Sequence, residues 1–487
     1  MRTQGKKATI LLSGAGAVVG FLFLVELTSG VLQGYYTPLL TDIARHLNIR
    51  DADVNWFEAA QLLVSALVVP VLAKLGDMFG HRRILLLSTA LTAVASWAVA
   101  FAPDFWTFLI AWALQGFYVV WLPLEIALIY SRSQQSADPA ALTRRAAGIL
   151  VAGLEFGVIL GALIGGKLGE VLSGKLWLTL MIPAICVSAC FLVIWRGVPE
   201  SPSRTGGRID TKGFILITLA LLLMTAGLTF MRIDGPGTWW AWLSIALGVG
   251  GLLYFARYEL RQPDPLVDIR LFRQPSMWPV QLTAFLFGVS VLGAQAPLST
   301  FAQTQPSEVG YGLGVGSGQV SLLIGVYVLA LLAGALLFPS LVRLSTPRVT
   351  LIGAAILVGV GYLLFLPFHD QLWQVMLNML IAGLGSGALV AALPSAAAAA
   401  APLTQTGMAT GLTNATKTLG GSFASCIFGI ALASQAAGAV SHSTAGSLSG
   451  YLLVWTICGI TGIVAAVLLF FVPKLAFGGT LPGVQEG

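Results

Sequence analysis

Three carboxylates stand where carboxylates are rare. Glu26, Glu125 and Glu155 each lie inside a long apolar stretch. At the centre of a bilayer an ionised side chain costs about 2.5–3.5 kcal/mol on insertion scales. Each of the three therefore needs a cation partner, a proton or a polar cavity, and a carboxyl so placed suits reversible protonation. Glu26 falls near the middle of its stretch and is the best single candidate to carry a proton or a cationic substrate. Glu155 lies about 200° around its helix from a glycine stripe, at 100° per residue, so it faces a cavity or a polar network instead. Glu125 has two readings: it belongs to the same set, or it pairs with Arg132 on the same helix face. Lys417 is the one cation well inside an apolar stretch. It reads either as half of a salt bridge between helix bundles or as a side chain snorkelling to the surface.

Other residues fit gating and binding. Asp77, Gly80, Arg82 and Arg83 make a short polar loop, in which a carboxylate at a helix end can pair in one state and release in another. Gly80 permits the tight turn. Gly153, Gly157, Gly161 and Gly165 recur every fourth residue, with Gly166 beside them, and form a stripe where helix backbones can approach closely. Gly161 to Lys167 also spells the start of a phosphate-binding loop, but Leu168 follows instead of Ser or Thr, so no nucleotide is implied. Tyr35, Gln115, Tyr118, Trp121, Gln295, Gln303, Tyr327 and Asn378 lie deep enough to line an amphipathic pocket. Trp56, Trp106, Trp239, Trp240, Trp242, Trp278 and Trp373 sit at stretch ends, as an interfacial belt does. The four cysteines lie in apolar runs without metal spacing and read as small buried hydrophobes. No metal or cofactor is expected.

The elements that position these residues follow from composition. The chain has 487 residues, 57% hydrophobic and 9% charged. Soluble proteins carry about 25% charged residues, so a soluble enzyme, a nucleic-acid binder and a disordered chain are excluded. Fourteen apolar segments are expected as helices: 9–36, 56–75, 84–102, 105–130, 146–169, 176–196, 213–231, 239–257, 277–302, 318–342, 347–367, 371–395, 406–434 and 449–473. With the N-terminus inside, roughly twenty Lys and Arg fall in loops on that side, Arg204, Arg208 and Lys474 among them, against five on the other. The positive-inside rule then puts both termini in the cytoplasm, and the net charge of +6 reports topology, not nucleic acid. Polar linkers at Pro199–Lys212 and Glu259–Pro275 divide the chain as 6+2+6 helices: a bundle over 1–200, an inserted helix pair over 201–271 and a second bundle over 272–487. The chain is expected to be an all-α polytopic protein of the plasma membrane and a monomer.

Several motifs then carry a resemblance. They are Asp77, Gly80, Arg82 and Arg83; Gln115-Gly116; Gly157, Gly161, Gly165 and Gly166; Pro199-Glu200; Pro265 through Arg273; and Gly407, Gly411, Asn414, Lys417, Gly420 and Gly421. Together they resemble the major facilitator superfamily, specifically its 14-helix drug:proton antiporter branch, over nearly the whole chain. The sequence departs from the family pattern at Trp112, where an arginine is usual, at Ala162, where a proline is usual, and at Ala73 and His81 in the loop. The resemblance implies a major facilitator fold. It implies export of hydrophobic or cationic small molecules, including drugs or antibiotics, in exchange for protons by alternating access. The departures keep open a substrate-specific uptake or metabolite transporter with different ion coupling.

Overall fold

The computed structural model describes residues 2–133, 139–172, 174–201, 210–263, 265–275, 277–400, 406–433 and 444–471. Arg204, Arg208 and Lys474 lie outside these residues. The long helices are α1 Arg2–Tyr35, α2 Asn55–Phe79, α3 His81–Phe101, α4 Phe105–Gln115 resuming as Trp121–Ser133, α5 Pro139–Val171 and α6 Leu176–Gly197. They continue as α7 Thr211–Asp234, α8 Trp239–Glu259, α9 Trp278–Val291 resuming as Gln295–Gln303, α10 Ser317–Leu344 and α11 Pro347–Leu363. The last are α12 Leu372–Ala400, α13 Thr406–Ala433 and α14 Leu448–Leu469. Among the described residues, 13 helical stretches are long and apolar enough to cross a membrane. Hydrocarbon offers no water to backbone amides, so a spanning segment must satisfy them internally, as a helix does.

The expected segment 347–367 is the exception in length. Its α-helix has 17 residues and gives way to turns bonded from Phe365 N to Tyr362 O at 3.2 Å and from Phe368 N to Leu364 O at 3.0 Å.

Two apolar cores organise the helices. One draws on residues from Val18 to Val198, with Ala296; the other on residues from Leu271 to Leu469, with Ala52. α7 and α8 pack on each other, and Leu221 of α7 meets Leu63 and Leu67 of α2. Some helix starts are capped by side chains: the Asp104 carboxylate accepts the amides of Trp106 at 2.9 Å and Thr107 at 3.1 Å. Large apolar side chains such as Val94, Phe156, Leu253 and Leu336 face outward, as lipid contact requires.

α4 breaks into 3-10 geometry over Gly116–Val120. The cause is a close approach to α2. The Ser65 hydroxyl donates to Gly116 O at 3.0 Å, and a Cβ at 116 would stand 2.6 Å from Gln61 O. Of the tryptophans read as interfacial, Trp106, Trp239, Trp240, Trp242, Trp278 and Trp373 are exposed, but Trp56 is buried. The Arg232 guanidinium of α7 lies over its ring at 5.5 Å and covers it. All four cysteines are free, with Cys186 half-buried.

Candidate functional site

Glu26 of α1 and Glu125 of α4 are both 0% exposed and face each other inside the first bundle. Among the described residues, none of their four carboxyl oxygens has a hydrogen-bond partner of good geometry. The alternative pairing of Glu125 with Arg132 is not made. Arg132 lies two helical turns away, about 10 Å along the axis, and its Nη1 donates to Glu200 O at 3.1 Å. Two carboxyls in contact, in apolar surroundings, cannot both stay ionised without a cation. One shared proton or a nearby cation would relieve the pair.

Tyr118 and Trp121 come from the broken part of α4, their rings 6.1 Å apart. Tyr118 lies within electrostatic reach of Glu26 and of Glu58. Glu58, which its position at a span end suggests is solvated, is half-buried here because the close α2–α4 contact turns it inward. Trp112 occupies its position as an aromatic block, with its ring 4.7 Å from Tyr36, 5.6 Å from Phe108 and 5.9 Å from Phe57.

Glu155 is buried on the other side of α5, where its charge neighbour is Lys417 of α13, in the second bundle. Tyr327 of α10 lies near the same carboxyl. The two charges face each other across the line between bundles, without direct ion-pair contact among the described residues.

The glycine stripe packs α5 against α1 in parallel register. A Cβ on Gly157, Gly161 or Gly165 would collide with the backbone of Leu27, Val31 or Tyr35, one helical turn apart each time. α1 answers with Gly30 and Gly34, which lie on the backbones of Leu154 and Val158. Gly153 meets the Phe23 ring, at 2.8 Å from an added Cβ. Gly166 points elsewhere, to Ser317 and Ser321 of α10.

That last contact belongs to a closed end. Ser321 Oγ donates to Ala162 O at 2.7 Å and Ser317 Oγ to Gly166 O at 3.0 Å. Gln303 Nε2 donates to Pro38 O at 3.2 Å, and Ser422 Oγ to Ala59 O at 2.7 Å. These bonds tie the two bundles together at the end where α1 finishes. Gln303 thus bonds across the two bundles at this end. Other pocket candidates are engaged in holding helices: Tyr35 OH donates to Thr179 O at 2.7 Å and Asn378 Nδ2 to Phe368 O at 2.7 Å. Gln115 Nε2 donates to Tyr36 OH at 2.9 Å and Ser96 Oγ at 3.0 Å. Gln295 is half-buried where α9 resumes after its break.

The polar loop sits at the opposite end of α2. Asp77 pairs with His81 Nε2 at 3.1 Å, within the loop itself. Arg82 N donates to Glu200 Oε1 at 3.0 Å, and Arg83 Nε lies 3.8 Å from Glu200 Oε2. Gly80 has φ 112°, and a Cβ there would stand 2.7 Å from the Glu200 carboxyl. Glu200 therefore joins the loop, α6 and Arg132. In the sequence it marks only the close of the sixth helix. Ser317, Ser321, Gly30 and Gly34 carry no motif of their own in the sequence, although the spacing of Gly30 and Gly34 by four is a readable signal.

Residues 22–425 match the family model described as Major Facilitator Superfamily. The chain is 28% identical over 346 residues to the cephamycin export protein CmcT of Amycolatopsis lactamdurans, covering 70% of this chain and 68% of that one. It is 27% identical over 336 residues to the multidrug efflux pump LfrA of Mycolicibacterium smegmatis (strain ATCC 700084 / mc(2)155), covering 68% of this chain and 64% of that one. The matched stretch thus spans about two thirds of such relatives. In structure it is similar to a peptide transporter POT crystallised in complex with sulfate, at 15% identity and a TM-score of 0.66, covering 94% of this chain and 95% of that one. A family model that runs from α1 into α13, over an all-helical body with buried carboxyls at its centre, makes the chain a multi-pass membrane transporter, not an enzyme, and a member of the Major Facilitator Superfamily.

Proposed function

We propose that the chain exports hydrophobic or cationic small molecules in exchange for protons, by alternating access of one central site. The observation that carries this reading is the Glu26–Glu125 pair, fully buried and without hydrogen-bond partners of good geometry among the described residues. A proton and a cationic guest compete for such a pair, and that competition is the physical basis of antiport. Glu155, Lys417 and Tyr327 form the facing wall, and Tyr118 and Trp121 supply flat apolar surface beside the pair. The efflux roles of CmcT and LfrA agree with this direction of transport.

In the proposed topology both termini are cytoplasmic, α11 counts as a span and brings the total to fourteen, and the units are 1–200, 201–271 and 272–487. At 1.5 Å per residue α11 reaches about 26 Å, and its turns through Phe368 bring it near a hydrocarbon core of about 30 Å. The hydrogen bonds at the end of α1 then close the external side, and the Asp77–Glu200 cluster lies at the cytoplasmic face. Changing the state breaks one set and slides α1 against α5 along their glycines. The chain acts as a monomer in the plasma membrane, with protons as the coupling ion.

Glu26→Gln in proteoliposomes tests the assignment. It should fold and lose transport driven by an imposed pH gradient; full gradient-driven transport by this variant would sink it. A second reading, substrate-specific uptake or metabolite transport with different ion coupling, draws on Trp112, whose aromatic packing leaves no cation at that position. The direction of labelled-substrate flux under the same gradient separates the two.

A further inference from the structure

A second acidic pair is buried at one end of the inserted helices, apart from the central carboxyls. Asp210 caps α7 and Glu259 closes α8, and the packing of these helices brings both residues to one end. Asp210 Oδ1 accepts the Gly213 amide at 2.9 Å and the Tyr258 hydroxyl at 3.0 Å. Asp210 Oδ2 is buried and has no partner of good geometry among the described residues. Glu259 is 1% exposed, and neither of its carboxyl oxygens has a partner of good geometry among the described residues. The free oxygens meet over Gly213, where an added Cβ would strike Glu259 Oε1 and stand 2.7 Å from Asp210 Oδ2. Neither acid forms an ion pair among the described residues. From the other side the linker backbone at Leu266 and Val267 approaches the Glu259 carboxyl. Amide groups complement a charged carboxylate. Two buried carboxyls side by side, with no cation on them among the described residues, need either a shared proton or a bound cation.

We propose that Asp210 and Glu259 form a binding site for a hard divalent cation of the Mg²⁺ class. Such a cation is commonly held by one or two carboxylates with water completing its shell, and half-buried Asp210 leaves a side open to water. Bound there, it fastens the linker at Leu266 and Val267 to the helix pair. Leu271, a few residues on, is buried in the core of the second bundle. The cation thus anchors the insert to that bundle. It stands apart from the transport site and does not depend on what the protein carries.

The test uses the full chain in detergent, stripped with chelator and titrated with Mn²⁺ or Mg²⁺. Electron paramagnetic resonance should count one bound Mn²⁺ per chain, displaced by Mg²⁺, and the thermal midpoint should rise saturably by about 2 °C or more. Glu259→Gln and Asp210→Asn, which keep shape and capping ability, should each lose both effects. Absence of bound Mn²⁺ in the wild type overturns the site, as does equal binding by both variants. A midpoint that ignores the cation while Glu259→Gln raises stability also overturns it, and shows a shared proton instead. If neither variant folds, the wild-type Mn²⁺ count and its competition by Mg²⁺ still decide.

Discussion

Replacing Gly157 by alanine tests whether the α1–α5 seam is set by backbone contact. The added Cβ would stand 3.0 Å from both the Leu27 carbonyl carbon and the Gly30 Cα, and nearer still to the Leu27 oxygen. All are backbone atoms, so no rotamer relieves them, and the helices must part by about 1 Å to restore ordinary contact. A gap of that size forfeits about a quarter to a half of the dispersion well at each contact along the seam. Overpacking of this kind costs about 1–3 kcal/mol, and the better helix propensity of alanine returns up to about 1 kcal/mol. The net expectation is a loss of about 1–2 kcal/mol. Gly148 on the same helix is the control, because a Cβ there meets nothing within 4 Å. Gly148→Ala should be neutral or slightly stabilising. Reversible unfolding of the two purified variants in mixed micelles measures the difference, and transport in proteoliposomes shows whether the seam must also slide. Equal stability of the two variants would refute the reasoning.

Three further outcomes follow from the geometry. Ser321→Ala removes the bond to Ala162 O across the closed end; a bond worth about 1 kcal/mol should shift the population toward opening at that end about fivefold, read by labelling of a cysteine placed there. Arg232→Ala removes the guanidinium that pairs with buried Asp53 and covers Trp56. Because Arg50 remains 3.8 Å from Asp53, the expected cost is about 1–3 kcal/mol, below that of a fully orphaned buried charge, in the same unfolding assay. Lys417→Met alone should lower folding yield by leaving Glu155 without its charge neighbour. Adding Glu155→Gln should restore it, and a double variant no better than the single would show the two are not coupled.

Much of the architecture is legible in the sequence because hydrocarbon enforces it. Apolar stretches near twenty residues long leave the backbone no alternative to helix. The scarcity of acids likewise singles out Glu26, Glu125 and Glu155. What the sequence hides is which side chains meet. Glu125 has a plausible partner in Arg132 on its own helix, and only the packing of α1 against α4 reveals Glu26 instead. Trp56 and Glu58 sit at a helix end, where belt and solvent are the default. Contact with α7 and the tight α2–α4 approach turn them inward. Glu200 is invisible as a partner because its carboxyl meets Arg82 and Arg83, more than a hundred residues away in sequence. The glycine stripe of α5 is readable, but its partner is not, because a stripe of small residues fits many helices equally well.

Proton release on substrate binding tests the central claim most directly. Purified protein in weakly buffered detergent solution would be mixed with a lipophilic cationic dye while pH is followed. The Glu26–Glu125 pair predicts release of protons by the wild type, and loss of that release in the Glu26→Gln/Glu125→Gln double variant. Undiminished proton release by the double variant would contradict the account.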